Sequence, residues 1–247
     1  STNVGGGLAT SGAGSLTLTN STVSGNNAGT DGGGLYWYPD AGTGPTSILN
    51  STIADNTAGT QGGNVHVGGV GVHNAGISVK NTILGSGTPN NCSGTILSLG
   101  NNLESADTCG LTAAGDKKNV GPNLGPLQNN GGGTWTRALL WGSPAIDAGT
   151  NSGCPATDQR GVARAQGVAC DIGSYEYRRA VLDIDDNGSC DALTDGLLAI
   201  RYLFGLTGTS LTGHAIGTGA MRADPGVVAA YLAGIGTQLD VDGSGAS

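Results

Sequence analysis

The sequence predicts a mainly β fold, a parallel β-helix in which successive turns of the chain stack on one another. One observation is a segment that returns at intervals of about 30 residues, as Leu16–Val23, Ile48–Ile53 and Ile77–Ile83. The other two are apolar–polar alternation within each copy and glycine-rich runs between copies. Repeats of this kind stack into solenoids, so we expect residues 1–120 to form the turns.

The alternation predicts strands with one buried face. Leu16, Leu18 and Asn20 alternate with Thr17 and Thr19, which is the two-residue period of a β-strand. Glycine and Asn-Gly clusters supply corners that need a positive φ. No helical pattern lies between the strands, so a βαβ arrangement is excluded.

Three asparagines recur at the same position of the repeat: Asn20, Asn50 and Asn81. In a stack of turns they lie one above another. We expect their side chains to point inward and to form a hydrogen-bonded ladder that satisfies polar groups at a corner.

Composition excludes several classes of protein. The chain has 247 residues with 48 glycines and 37% hydrophobic residues, and its net charge is −8. It is too apolar for disorder, and its glycines lack the period of collagen. No apolar run is long enough for a membrane span. Residues 181–247 hold eight acidic side chains against two basic ones, which favours a divalent cation over nucleic acid as a partner.

The five cysteines predict two local disulfides. Cys92 with Cys109, and Cys154 with Cys170, each bracket a glycine-rich loop, whereas Cys190 is left free or paired elsewhere. Disulfides indicate an oxidising, extracytoplasmic setting.

Tyr36, Trp37 and Tyr38 form the aromatic cluster of the repeats. They are either a platform on which a glycan stacks or a packing or interface cluster, and the sequence leaves both interpretations open. His66 and His73 have no carboxylate close in sequence, so we interpret them as surface or corner residues.

After the repeats, the chain carries four conspicuous runs. These are Gly121–Thr136, Gly142–Gly149, Cys154–Gly161 and Cys170–Tyr177. Together they resemble the C-terminal signature of bacterial secreted β-helix proteins with a choice-of-anchor Q domain, related in layout to polymorphic outer-membrane proteins. Ala165 stands where that family usually places proline. The resemblance implies a right-handed parallel β-helix at a bacterial surface or outside the cell.

We interpret residues 121–178 as a cap, because open solenoid ends expose unpaired backbone. The charged residues of this segment lie beside glycines or tight turns, where they bond backbone or one another. They are Asp147, Asp158, Arg160, Asp171 and Glu176. The sequence therefore predicts no catalytic residues and no enzyme.

An acidic loop follows at residues 183–195. Its oxygen-bearing side chains fall at steps 1, 3, 5 and 9, with glycine at step 6, which is the pattern of a calcium loop. The residues are Asp183, Asp185, Asn187, Asp191 and Gly188, with Asp195 at step 13 instead of step 12.

Two helices are expected after this loop. Apolar residues recur at helical spacing at Leu193, Leu197, Ile200, Leu203 and Phe204. Asp224 and Pro225 provide the cap and first turn of the second helix. Asp240 and Asp242 then begin a second loop of the same kind.

The order loop, helix, helix, loop is similar to a dockerin, and residues 191–205 look like a dockerin-type repeat. The resemblance implies a calcium module at 179–247. Its ligands would be Asp183, Asp185, Asn187, Asp191, Asp195 and the Ser189 carbonyl. Dockerins bind cohesins, but this copy lacks its final helix, which weighs against that partner.

The sequence thus predicts an extracellular structural or adhesive β-solenoid of a bacterial surface. Because its first turn and its last calcium loop are both incomplete, the chain is either a fragment or a subunit that stacks head-to-tail into a calcium-stabilised fibre. The alternative is a carbohydrate-binding or polysaccharide-degrading β-helix, since this scaffold often hosts lyases and hydrolases. That chemistry needs clustered carboxylates, whereas the acids of the repeats are isolated.

Overall fold

The computed structural model describes residues 3–12, 14–39, 46–69 and 76–239. The chain divides into two compact units, Ser1–Tyr177 and Arg178–Ser247. The first unit contains all the strands and the second contains the helices. Each unit is described separately below.

The strands of the first unit are short, and most are separated by tight corners. Those of the turns are β1 Leu8–Gly12, β2 Thr17–Thr19, β3 Thr22–Ser24, β4 Asn27–Ala28, β5 Leu35–Pro39, β6 Thr46–Leu49, β7 Thr52–Ala54, β8 Thr57–Ala58, β9 Val65–Val67, β10 Ile77–Lys80, β11 Ile83–Gly85, β12 Cys92–Ser93, β13 Ile96–Ser98 and β14 Leu103–Glu104. They are followed by β15 Leu124–Gln128 and β16 Thr136–Leu139, which pair antiparallel.

Strands from successive turns pair in parallel and build stacked sheets. Sheet A has the order β1-β5-β9-β12, sheet B β2-β6-β10-β13 and sheet C β3-β7-β11-β14, while β4 and β8 form a fourth pair. The registers place Val23 beside Ile53, and Ile53 beside Leu84. The predicted mainly β fold of parallel strands is confirmed, and the arrangement is that of a parallel β-solenoid.

The core of the solenoid lies between the sheets. Alternate residues point inward because successive side chains of a strand project to opposite faces. The buried cluster includes Leu35, Trp37, Ile48, Ile53, Val65, Val67, Ile77, Val79 and Leu84. Each sheet contributes aliphatic residues to it.

Asn20, Asn50 and Asn81 lie at the corner between sheets B and C. Their φ angles are 48°, 43° and 47°, a left-handed conformation that asparagine tolerates better than most residues. Backbone bonds run from Asn20 N to Leu49 O and from Asn50 N to Lys80 O, so the three corners stack.

The side chains of these asparagines form only part of the expected ladder. Asn81 Nδ2 donates to Asn50 Oδ1 at 3.3 Å, whereas Asn20 Nδ2 donates to Thr157 O at 2.6 Å. The left-handed corners point the asparagine side chains towards the segment that follows the repeats. Asn81, for example, donates a hydrogen bond to Thr150 O and accepts one from Thr150 N. The inward orientation expected from the sequence is therefore wrong.

A second set of amides forms a continuous chain of hydrogen bonds inside the solenoid. Asn26 Nδ2 donates to Asn56 Oδ1, Asn56 Nδ2 to Asn64 Oδ1, and Asn64 Nδ2 to Asn91 Oδ1, each at 3.0 Å. Asn91 Nδ2 then donates to Glu104 Oε1 at 3.3 Å. We call these five residues the amide chain. It links successive turns through their side chains.

The segment that follows the repeats packs along the side of the solenoid. Ile83 and Leu103 point outward from sheet C and are buried against Leu139, Ala145 and Ile172. This contact explains why β7 and β11 are buried at every position. The sequence had indicated a cover for an open end, but these contacts lie on a lateral face.

Both predicted disulfides are present in the first unit. Cys92 is bonded to Cys109 and Cys154 to Cys170, while Cys190 is an exposed free thiol. The first bond ties β12 to the chain after β14. The second closes a loop within the lateral segment.

Four helices lie in the described part of the second unit: α1 Asp195–Leu203, α2 Thr209–Thr212, α3 Pro225–Gly234 and α4 Gly236–Leu239. Asp224 caps α3, since Oδ1 accepts hydrogen bonds from the backbone N–H of Gly226 and Val227. Among the described helices, none combines the length and apolar character needed to cross a bilayer.

The buried face of α1 differs from the expected one. Leu198 is fully buried with Val228 and Leu232 of α3, whereas Ile200 and Phe204 are exposed. The positions of α2 and α3 decide which face of α1 is buried. The spacing of apolar residues along α1 does not specify those positions.

Candidate functional site

The acidic loop of the second unit brings three carboxylates together. Oxygen atoms of Asp183, Asp185 and Asp195 all lie within 4.8 Å of one another, and all three residues are buried. Asp195 is the first residue of α1, so the helix holds one side of the cluster. We call these residues the carboxylate cluster.

Backbone amides hold two of the carboxylates in place. Asp183 accepts from the N–H of Asn187 at 3.0 Å and of Gly188 at 2.9 Å. Asp195 Oδ1 accepts from the N–H of Ile184 at 2.6 Å and of Asp185 at 3.1 Å. The loop therefore folds around its own side chains.

Asp185 is the carboxylate with a free atom. Its Oδ2 accepts from Gly217 N at 2.5 Å, while Oδ1 is buried and has no hydrogen-bond partner among the described residues. Burial raises the pKa of Asp185, and burial also raises the pKa of Asp183. A buried group of like charges with an unpartnered oxygen is an environment that a bound cation would stabilise.

The donor set fits a hard divalent cation. Carboxylate oxygens are the ligands preferred by calcium, and no sulfur or imidazole group belongs to the cluster. Asn187 lies beside it, since its Nδ2 is 3.4 Å from Asp185 Oδ2.

Other predicted ligands have different surroundings. Asp191 is exposed, and its Oδ1 accepts from the N–H of Leu193 and Thr194 before α1, which lowers its pKa. Asn187 Oδ1 accepts from Ser189 N at 2.8 Å. Asp240 and Asp242 lie outside the described residues.

Arg222, which lies just before α3, supports the acidic loop. Its Nη1 donates to the carbonyls of Asp183 and Ile184, and its guanidinium lies 3.7 Å from the centre of the Tyr231 ring. No local sequence pattern predicts this contact, because Arg222 lies about 40 residues away from the loop in the chain.

The charged residues of the lateral segment make structural pairs. Arg160 Nη2 lies 2.7 Å from Asp158 Oδ2, and Arg164 Nη1 lies 2.9 Å from Glu176 Oε2, with the side chains of both pairs buried. Glu176 also accepts from the backbone N–H of Asp171. These carboxylates hold loops together, as the sequence indicated.

Asp171 of the lateral segment has a strongly shifted pKa. Burial raises its pKa to about 7, and the nearby Glu176 carboxylate acts in the same direction. Hydrogen bonds from the backbone N–H of Asp147 and Tyr177 oppose the shift. The carboxyl group of Asp171 therefore titrates near neutral pH.

The three aromatic residues that the sequence grouped lie on opposite faces of strand β5. Trp37 is buried in the solenoid core, so its assignment as a glycan contact is wrong. Tyr36 and Tyr38 project outward, since neighbours on a strand alternate between faces. Tyr36 also stacks on His66 of β9, which is paired with it in register. His73 lies outside the described residues.

Comparison of the chain with protein-family models, curated proteins and solved structures gives no match.

Proposed function

We propose that this protein is an extracellular structural or adhesive right-handed β-helix that associates head-to-tail into fibres, with calcium stabilising its second unit. The observation that carries the proposal is the parallel stacking of the turns, a pattern that a turn of another copy can continue. The predicted resemblance to bacterial surface β-helix proteins agrees with this function.

The first turn offers strands that can accept another turn. β1, β2 and β3 stand at the ends of sheets A, B and C, so each has a neighbouring strand on one side only among the described residues. Strand edges of this kind are templates for pairing with another chain.

Apolar side chains surround this edge. A cleft of about 470 Å³ is lined by Leu8, Leu18, Val23, Leu127 and Trp135. Leu8 is 36% exposed and Trp135 is 62% exposed. Covering these side chains removes apolar surface from water, which favours association.

The occupant we propose is the last turn of a second copy. Its β12 and β13 end sheets A and B on the opposite side of the stack. A contact between the first turn of one copy and the last turn of the next is heterologous. Such contacts do not close on themselves and so produce filaments.

Two disulfides support an extracellular location. Bonds such as Cys92–Cys109 and Cys154–Cys170 persist in oxidising surroundings and are rare in reducing ones. Bacterial surface attachment is the setting that the resemblance implies.

Calcium is the cofactor that the carboxylate cluster fits best. A bound ion would be held by Asp183, Asp185 and Asp195, would neutralise their charges and would fix the start of α1. A cohesin-like partner is not part of this proposal.

Catalysis is not part of the proposal either. A polysaccharide hydrolase or lyase needs carboxylates that face a substrate. The buried pairs Asp158–Arg160 and Arg164–Glu176 are instead committed to holding loops.

Self-association is tested by sedimentation velocity and electron microscopy of the full chain in calcium. We expect filaments from the native protein and monomers from Leu8→Lys, because a charge at the open edge opposes pairing. Leu140→Lys is the matched control: Leu140 is 44% exposed, lies away from the cleft, and should leave filaments intact. Monomers from the native protein at every concentration would contradict the proposal.

A further inference from the structure

The outward face of sheet A carries an aromatic surface that the proposed function does not use. Tyr36 and Tyr38 project from β5, and His66 projects from β9 beside Tyr36. In each strand the alternate residues, such as Trp37, belong to the core. We call Tyr36, Tyr38 and His66 the aromatic face.

The three rings lie nearly parallel. Tyr36 and Tyr38 have ring centroids 6.4 Å apart and planes inclined by 13°, and Tyr36 and His66 have centroids 5.3 Å apart and planes inclined by 8°. Both pairs are stacked, so the three rings form a short aromatic stack across two strands, with Tyr38 as its most exposed tyrosine. The rings do not form a box around a point.

Gly68 makes room for this surface. A Cβ atom at position 68 would stand 2.7 Å from Cδ2 of Tyr38 and 3.3 Å from the hydroxyl of Tyr36. The Tyr38 ring therefore lies across the neighbouring turn at the point where a side chain is missing. Tyr38 is 42% exposed, so solvent reaches it in this position.

Polar side chains stand at the corner that leads into sheet A. Thr60 Oγ1 donates to Asp31 Oδ1, and Ser93 Oγ donates to Gln61 Oε1 at 2.7 Å. Asp31 is close enough to act electrostatically on both Tyr36 and His66: burial raises the pKa of Tyr36 and Asp31 adds to that effect, whereas burial lowers the pKa of His66 and Asp31 opposes it. The face therefore borders on hydroxyl, amide and carboxylate groups that can bond to a ligand's hydroxyls.

We infer that the aromatic face binds a neutral carbohydrate chain, with a pyranose ring stacked on Tyr38, the more exposed of the two tyrosines. A pyranose ring has an apolar C–H face and a rim of hydroxyls, which matches flat aromatic rings flanked by polar groups. This binding activity is independent of fibre formation.

Other ligand classes fit the face less well. A quaternary ammonium ion is recognised by rings that surround it, whereas these rings are nearly parallel and stack on one another. Nucleic acid is disfavoured because Asp31 borders the face and the chain's net charge is −8. Burial also lowers the pKa of His66, against the effect of Asp31, so His66 offers no positive charge to an anionic ligand near pH 7.

The test uses the full chain with four soluble probes: cellohexaose, chitohexaose, xylohexaose and mannohexaose, each titrated calorimetrically. We expect at least one to bind, and Tyr38→Ala to weaken that binding roughly tenfold or more, as loss of an aromatic contact does. Gly68→Ala should weaken it as well, although every ring is retained, because the new Cβ displaces Tyr38.

Phe204→Ala is the matched control, since Phe204 is an exposed aromatic residue of the second unit and not on sheet A. It should leave carbohydrate affinity unchanged. Circular dichroism and thermal unfolding verify that each variant is folded. Failure of all four probes to bind, or equal affinity in the native protein and Tyr38→Ala, overturns the inference. A protein partner captured through Tyr38 in the absence of carbohydrate binding would overturn it too.

Discussion

Asparagine has two structural roles in this solenoid, and each depends on a different property of the residue. At the corners, Asn20, Asn50 and Asn81 adopt positive φ angles that most residues avoid. Inside, Asn56 and Asn64 use both donor and acceptor atoms of the amide, so a buried polar group is satisfied by its neighbour. The glycine-rich repeats can therefore turn sharply while these buried amides stay hydrogen-bonded.

The carboxyl group of Asp171 makes stability depend on pH. Its pKa is raised to about 7 by burial, so between about pH 4 and pH 7 the folded chain holds a proton that the unfolded chain has lost. This contribution is complete below that window and disappears as pH rises through it. We expect the free energy of unfolding to fall from about pH 4.5 to about pH 7.5, measured by urea unfolding.

Asp171→Asn should flatten this pH profile, because the substituted side chain does not titrate. Asp107→Asn is the control, since Asp107 is an exposed acid paired with Lys118 and should leave the profile unchanged. The same slope in Asp171→Asn as in the native chain would show that another group is responsible.

At the scale of the elements, strands are stabilised both by their ladders and by what covers them. Sheet C is packed on two faces, inward through Ile53 and Leu84 and outward through Ile83 and Leu103. The lateral segment supplies the outer layer. The strands are only two to five residues long, so their hydrogen-bond ladders are short. The second interface adds stability that such ladders alone would not provide.

The amide chain gives the turns a second connection. Asn64→Ala should lower the free energy of unfolding by about 2–3 kcal/mol, because it removes the buried hydrogen bonds that Asn64 makes with the backbone and side chain of Asn56 and with Asn91 Oδ1. Asn26→Ala removes a residue at the end of the chain that is only partly buried, and should cost less. Equal losses from the two variants, measured by chemical unfolding, would argue against a continuous chain.

At the scale of the whole molecule, the two units depend on different chemistry. The first is a solenoid with both disulfides, and the second is a small helical unit around the carboxylate cluster. Calcium bound in the second unit would stabilise that unit by mass action, whereas disulfides restrict the unfolded state of the first.

A chelator and a reductant should therefore act on separate thermal transitions. EDTA is expected to lower the transition of the second unit, and dithiothreitol that of the first, as followed by calorimetry of the full chain. Asp185→Asn should remove the effect of EDTA. Asp224→Asn should preserve it, since asparagine also caps a helix. A native chain indifferent to calcium would contradict the proposed metal centre.

The sequence by itself determined the parallel stacking, the corner positions and the two disulfide pairs. These depend on local features: a repeat of fixed length, the two-residue period of strands, and cysteines close along the chain. The period of 30 residues that joins Asn26 to Asn56 would also have indicated the amide chain. The oxygen-rich loop at 183–195 was likewise recognisable from spacing.

Only the tertiary structure decided which way side chains face and which distant segments meet. It buried Trp37 while leaving Tyr38 exposed, placed the lateral segment over sheet C, and brought Arg222 to the loop at Asp183. Register determines the face on which a strand residue lies, and a shift of one position reverses it. Contacts between residues far apart in sequence depend on packing that no local pattern encodes.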